Sequence, residues 1–184
     1  VPIDTNSTFN KEQHILCRKL TAGDFDPLLH YLHHLSDETK RRFGPHSFER
    51  EALVNFYGSD AAITGYVAVD LQQQEIIAYA ITRDGILQHD SERLMDYGIS
   101  GIDKNSCTFA PSVADKWQSR GIGKMLFSYI LSDNRQKGIA RMILWGGVQA
   151  TNEKAVNFYK KMGFKIIGQF EYNGHNYDML LETV

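Results

Sequence analysis

"QSRGIGKM" fills residues 118–125 and sets two glycines, Gly121 and Gly123, between the cations Arg120 and Lys124. An apolar-periodic stretch follows at once: Ile122, Met125, Leu126, Tyr129 and Ile130 recur at i, i+3, i+4, i+7 and i+8, the stripe of one buried helix face. Glycine inside a helix costs about 1 kcal/mol against alanine, so two at a helix start ask for a reason other than helix stability. A P-loop would need GxxxxGK and then Ser or Thr, but here the first glycine is misplaced and Met125 follows the lysine. A dinucleotide fingerprint fails where Leu126 stands in place of its last glycine. The third reading is a helix N-terminus shaped for a pyrophosphate. Its first N–H groups carry partial positive charge, glycines remove the Cβ atoms that would hold a phosphate off, and the two cations add charge. An ordinary helix start with two solvated cations is the plain alternative.

A second stretch narrows the choice. "TNEKAVNFYKKMGF", residues 151–164, places Ala155, Phe158, Tyr159 and Met162 on one helical face and ends the helix at Gly163. An amphipathic helix against a sheet would explain most of that pattern, though not its position one strand after the glycine turn.

Between and around these stretches the chain alternates strand and helix signals. Strands are predicted at 15–20, 63–69, 75–82, 106–113, 141–146, 164–172 and 176–181, with the last two joined at Asn173-Gly174, a strong hairpin signal. Helices are predicted over "DFDPLLHYLHHLS", where Leu28, Leu29, Leu32 and Leu35 keep one face apolar, over "SDETKRRFGPH", and at 121–137 and 152–162. Residues 83–104 read as a loop with some helix around 91–95, and Pro111 marks a bulge or a stop in strand pairing. The result is an α/β protein with a mixed sheet and helices on its faces. Residues 1–13 read as an N-terminal arm and residues 14–184 as one domain, as a length of 184 residues favours.

Composition limits the function. A net charge of -2 argues against a duplex-wrapping nucleic-acid binder, so any anion must be held by a local site. No apolar run approaches the roughly 20 residues that span a bilayer, and the first ten residues lack the pattern of a signal peptide. The two cysteines, Cys17 and Cys107, read as core hydrophobes of a reducing compartment, and the protein as cytoplasmic. His30, His33 and His34 share one helix face, but no carboxylate completes an HExxH pattern, so no metal is expected.

The two stretches together resemble the GNAT family of acyl-CoA-dependent N-acyltransferases. Gln118, Gly121 and Gly123 match its Gln/Arg-x-x-Gly-x-Gly/Ala pattern; Asn152, Ala155, Phe158, Tyr159, Gly163 and Phe164 match its N-x-x-A-x-x-F-Y-x-x-x-G-F pattern. The likeness is strong over residues 107–167 and weaker over 15–82. It implies a mostly antiparallel sheet of six to seven strands, flanked by about four helices and splayed at the central strand pair. It also implies acetyl-CoA as co-substrate, with its pyrophosphate on Gln118, Ser119, Arg120, Gly121, Ile122, Gly123 and Lys124. The pantetheine arm would lie where strand 106–113 parts from strand 141–146, and the N–H near Val113 would polarise the thioester carbonyl.

By the same resemblance Tyr159 protonates the departing thiolate and also contacts the cofactor, with a buried structural tyrosine as the alternative. Asn152 orients CoA or caps its helix. Many relatives carry a glutamate on the strand before the glycine turn, but "SCTFAPSV" holds no acid. Glu75, Asp84 and His89 are near only in sequence, and no base is assigned. Cys107 has no neighbour in sequence to lower its pKa and reads as a buried thiol, not a nucleophile. The acceptor would be a small-molecule amine or a protein lysine. Such domains commonly dimerise, and no residue here decides whether this one forms a homodimer. A non-catalytic acyl-CoA-binding sensor is the alternative function.

Overall fold

The computed structural model describes residues 8–10, 14–99 and 105–183. They hold nine β-strands and six α-helices, and the chain divides into two compact units. The first takes in Val1–Thr82 and Ala110–Asp133, the second Arg83–Phe109 and Asn134–Val184.

In the first unit β1 (Thr8–Asn10) pairs antiparallel with β2 (Ile15–Lys19), so part of the expected arm is a strand; residues 1–7 and 11–13 lie outside the described residues. Three helices follow. In α1 (Phe25–His33), Pro27 occupies the first turn, where a missing N–H costs nothing, and Leu28, Tyr31 and Leu32 are buried. Leu29 is only half-buried; Tyr31 takes its place on the inner face. In α2 (Asp37–Arg42) the Ser36 hydroxyl caps the first turn by accepting from the Thr39 N–H at 3.2 Å. The third, α3 (Arg50–Ser59), is not foreseen from the sequence, because Leu53 is its one fully buried side chain.

Strands β3 (Ile63–Asp70) and β4 (Glu75–Asp84) come next, with β4 passing into the second unit at its end. β2 pairs antiparallel with β3 from Ile15↔Asp70 to Lys19↔Tyr66, and the strand order is β1-β2-β3-β4-β5. Ile76 to Ile81 are buried at every position, the mark of a strand covered on both faces. The long helix α5 (Ile122–Gln136) buries Ile122, Leu126, Tyr129 and Ile130 as the stripe predicts, and Phe127 besides; Met125 is half-buried.

The second unit is built on the first half of β5 (Ser106–Val113), which runs parallel to β6 (Arg141–Leu144). β9 (His175–Glu182) pairs antiparallel with β6, with the two-residue β7 (Val148–Gln149) and with β8 (Lys165–Glu171). The predicted hairpin is present, with Asn173 and Gly174 both at positive φ. α4 (Gln88–Asp96) extends the helix expected at 91–95, while residues 100–104 of that loop lie outside the described residues. A Cβ at Gly168 would overlap the Tyr97 ring, so the β8 bulge keeps a glycine where that ring lies. The mixed, mostly antiparallel α/β architecture is as expected. The strand and helix counts exceed the expected six to seven and about four, because β1, β7 and α3 carry little pattern.

Candidate functional site

β5 extends past the end of its parallel neighbour β6. The β5–β6 ladder runs from Ser106↔Arg141 to Phe109↔Leu144, after which β6 ends and β5 continues to Val113. The Trp145 N–H donates to the Phe109 carbonyl at 2.9 Å, closing the ladder. Successive strand residues turn their N–H groups to opposite edges. The Ala114 N–H donates to Ile77 of β4, so Val113, of Phe109's parity, turns its N–H to the other edge. Pro111 lies on that same edge, two residues beyond the last ladder pair, where its missing N–H breaks no pairing.

A one-turn helix, Asp115–Trp117, leads from β5 to the glycine turn. The carboxylate of Asp115 accepts from the Ser36 N–H (3.0 Å), the Ser36 hydroxyl (2.8 Å) and the Thr39 hydroxyl (2.9 Å). Desolvation raises its pKa, but these hydrogen bonds outweigh that and hold it below the usual carboxylate range. Gln118 Nε2 donates to the Val113 carbonyl at 3.2 Å. Ser119 (φ 61°) and Gly121 (φ 84°) both take the left-handed conformation, which turns the chain abruptly into α5. Met125 N–H bonds to the Gly121 carbonyl at 3.0 Å, so the N–H groups of Ile122, Gly123 and Lys124 head the helix with no intrahelical acceptor.

Two observations fit this turn to a ligand rich in acceptor oxygens. A Cβ built on Gly121 meets nothing within 4 Å, so the glycine faces open space. The indole Nε1 of Trp117 is buried and finds no hydrogen-bond acceptor among the described residues. Arg120 lies over the same indole at 5.5 Å.

The second unit carries the other matched motif. Asn152 caps α6 (Glu153–Lys161), its Oδ1 accepting from the Ala155 N–H at 3.3 Å. Gly163 (φ 96°) closes that helix in a Schellman arrangement, with Gly163 N–H on Lys160 and Phe164 N–H on Tyr159, both at 3.0 Å. Tyr159 is 9% exposed and packs edge-on to Phe158 and Phe164, and burial pushes its phenol well above the ordinary 10.

The remaining candidates divide plainly. Glu75 is ion-paired with Lys116 at 3.2 Å; His89 is largely exposed, beside an Asp90 that Arg93 already holds. Cys107 is fully buried, accepts from Asn134 Nδ2 at 3.3 Å, and is pushed up to about 12 by burial, which suits a buried thiol. At the end of α1 the rings of His30 and the following His34 lie 4.1 Å apart, while His33 Nε2 meets the Phe48 carbonyl. Sequence reasoning missed a polar array in the first unit that joins His46, Tyr57 and Tyr79; only tertiary packing brings these residues together.

The model of the acetyltransferase (GNAT) family matches residues 29–164, most of the chain. The chain belongs to the GNAT acetyltransferase family. Solved GNAT structures share its fold. The ribosomal-protein-S5-alanine acetyltransferase of Vibrio fischeri is 14% identical, with 96% of each chain covered and a TM-score of 0.73. The GNAT domain of S. lividans PAT is 18% identical over 91% of this chain and 90% of its own, with a TM-score of 0.67. The PaiA N-acetyltransferase of Thermoplasma acidophilum, solved in complex with coenzyme A, is 20% identical over 91% and 98%, with a TM-score of 0.65. No curated protein matches the sequence. In this GNAT protein no helix of the described residues is long and apolar enough to cross a membrane.

Proposed function

We propose that the protein is an N-acetyltransferase that moves the acetyl group of acetyl-CoA onto an amine by direct attack in a ternary complex. The observation that carries this reading is the turn at the head of α5, where Gly121 at φ 84° faces open space beside Arg120 and Lys124. The pyrophosphate would take the N–H groups of Ile122, Gly123 and Lys124, whose partial charge favours an anion. Gln118 and Ser119 shape that turn, and the Trp117 indole offers one more donor. The pantetheine amides would pair with the free edge of β5, and the Val113 N–H would stabilise the oxyanion. Residues 14–184 form the catalytic domain in this reading, and the acceptor is a small-molecule amine or a protein lysine.

Tyr159 would protonate the departing thiolate. Burial makes its phenol a weaker acid than an exposed tyrosine, but the same desolvation raises the proton affinity of a thiolate beside it, so the transfer stays close in energy. Asn152 caps α6 through its oxygen, which leaves its NH2 group to the cofactor.

A free-thiol assay across amines, amino acids and lysine peptides tests the reading, with Tyr159→Phe alongside. The expected result is CoA release that depends on one acceptor class and falls about 100-fold in the variant while CoA affinity holds. CoA binding without thiol release under any acceptor would make the protein a sensor, and undiminished turnover in Tyr159→Phe would remove that phenol from the chemistry.

A further inference from the structure

Asp115 joins two parts of the first unit that no sequence pattern connects. Its carbonyl accepts the Gln118 N–H at 3.3 Å, which ties it to the head of the glycine turn. Its carboxylate takes the three bonds from Ser36 and Thr39 at the start of α2. The protons of those bonds can be assigned. An ionised carboxylate only accepts, so the Ser36 and Thr39 hydroxyls each give their single proton to Oδ1. The 3.1 Å between the two hydroxyl oxygens is then left without a proton of its own. Turned this way, the Ser36 oxygen offers a lone pair to the Thr39 N–H. A residue 79 positions away in sequence thus orients the hydroxyl that caps α2.

The α1–α2 corner is itself braced. Lys40 Nζ donates to the His33 carbonyl at 2.7 Å, and Leu35 between the two helices is buried. The corner meets the end of β5 at a second point. The Ser112 hydroxyl donates to the Tyr79 carbonyl at 3.2 Å, so the Tyr31 hydroxyl of α1 donates to Ser112, at 2.9 Å. Tyr31 and Ser112 are buried, whereas Ser36 and Asp115 are exposed, so the Asp115 bonds are the ones that water can replace. The glycine turn needs support from outside. Ser119 is held at φ 61°, a left-handed conformation that is costly for a residue with a Cβ and persists where the surroundings over-determine it. Ser119 and Arg120 are exposed, so restraint reaches the turn from α5 on one side and through Gln118 on the other. Gln118 is bonded to Val113 by its side chain and to Asp115 by its N–H.

We propose that Asp115 is a positioning residue that couples the glycine turn to the α1–α2 corner, so that CoA bound at the turn orders the corner and a closed corner raises the affinity for CoA. The proposal rests on the placement of the pyrophosphate given above. Asp115 acts through Gln118, and the corner acts through Asp115. With the carboxylate bonded to Ser36 and Thr39, the turn is held in the form that binds. With those bonds open, only a fraction of molecules holds that form, and the apparent affinity falls by the same fraction. The coupling is reciprocal, because whatever the corner does for CoA affinity, CoA does for the closure of the corner.

The test is CoA binding by calorimetry in wild type, Asp115→Ala, Thr39→Val and the double variant, with hydrogen exchange read on α2. Thr39→Val keeps the branched shape and the Thr39 N–H on Ser36, and removes only the bond to Asp115. It should raise the Kd for CoA about threefold, and Asp115→Ala about fivefold. In the Asp115→Ala background Thr39→Val should add nothing, since its partner is already gone. Bound CoA should slow exchange at the Lys40 and Phe43 amides, which bond to Ser36 and Thr39 carbonyls, in the wild type and not in Asp115→Ala. A merely structural role for Thr39 would lower stability and leave the Kd of the folded variant alone. An unchanged Kd in folded Thr39→Val, or exchange at Lys40 and Phe43 indifferent to CoA in the wild type, would overturn the coupling and leave the cofactor reading standing. A loss in Thr39→Val that persists once Asp115 is removed would overturn it as well, because the effect would travel by another route. No CoA binding by the wild type would overturn the cofactor reading and the coupling together.

Discussion

Gln118 Nε2 donates to the main-chain carbonyl of Val113 across 3.2 Å, so the first matched residue of the glycine turn is tied to the last residue of β5. This bond couples the proposed phosphate site to the proposed oxyanion site through five residues of chain. A net hydrogen bond of this kind contributes about 1 kcal/mol. Gln118→Ala should therefore weaken CoA binding by roughly fivefold, measured by calorimetry, with the acceptor KM little changed. Equal CoA affinity in the folded variant would show that the turn keeps its shape without this bond.

Gly121 separates backbone strain from ligand contact. A side chain at φ 84° costs about 1–2 kcal/mol, a loss that the ligand-free protein already shows in denaturant. The Cβ itself meets nothing within 4 Å, so the protein alone gives no steric reason for a further loss. Gly121→Val should lower stability by about that amount and, beyond it, raise the Kd for CoA more than tenfold by placing branched bulk where the pyrophosphate belongs. Unchanged affinity in the folded variant would remove the pyrophosphate from this turn.

How much of this could be read in the sequence depends on how local each feature is. The stripe on α5 and the Asn173-Gly174 hairpin were legible, because a 3.6-residue period and a demand for positive φ are written in adjacent residues. The end of α6 at Gly163 was legible for the same reason, and the cap at Asn152 as one of two roles the sequence left open. By contrast α3 escaped notice because its buried side is thin, with Leu53 alone fully inside, and β7 is only two residues long. The line from His46 to Tyr79 could not be read at all. Its partners are 33 residues apart, and neither "FGPHSFER" nor the apolar run of β4 signals the other. The same holds for the indole of Trp117, whose unpartnered donor is a fact of packing, not of pattern.

Arg93 provides a prediction about stability that is independent of the cofactor. From α4 its Nε and Nη2 fork onto Asp178 of β9 at 2.6 and 3.0 Å, and Nη2 also holds Asp90 at 2.7 Å. Tyr97 donates to the same Asp178 at 3.1 Å, and the guanidinium lies 3.7 Å over the Phe170 ring. Asp90 and Asp178 are 3% and 1% exposed, so both depend on this one cation for their charge balance. Arg93→Met keeps the apolar contact with Phe170 but strands two buried carboxylates, which should cost about 3–5 kcal/mol. The expected observation is a lower urea midpoint at an unchanged m-value. Combining Arg93→Met with Asp90→Asn and Asp178→Asn should restore most of the loss at neutral pH, since no buried charge is left unpaired. A deficit that the added asparagines leave unchanged would assign the effect to packing on Phe170, not to the ion cluster.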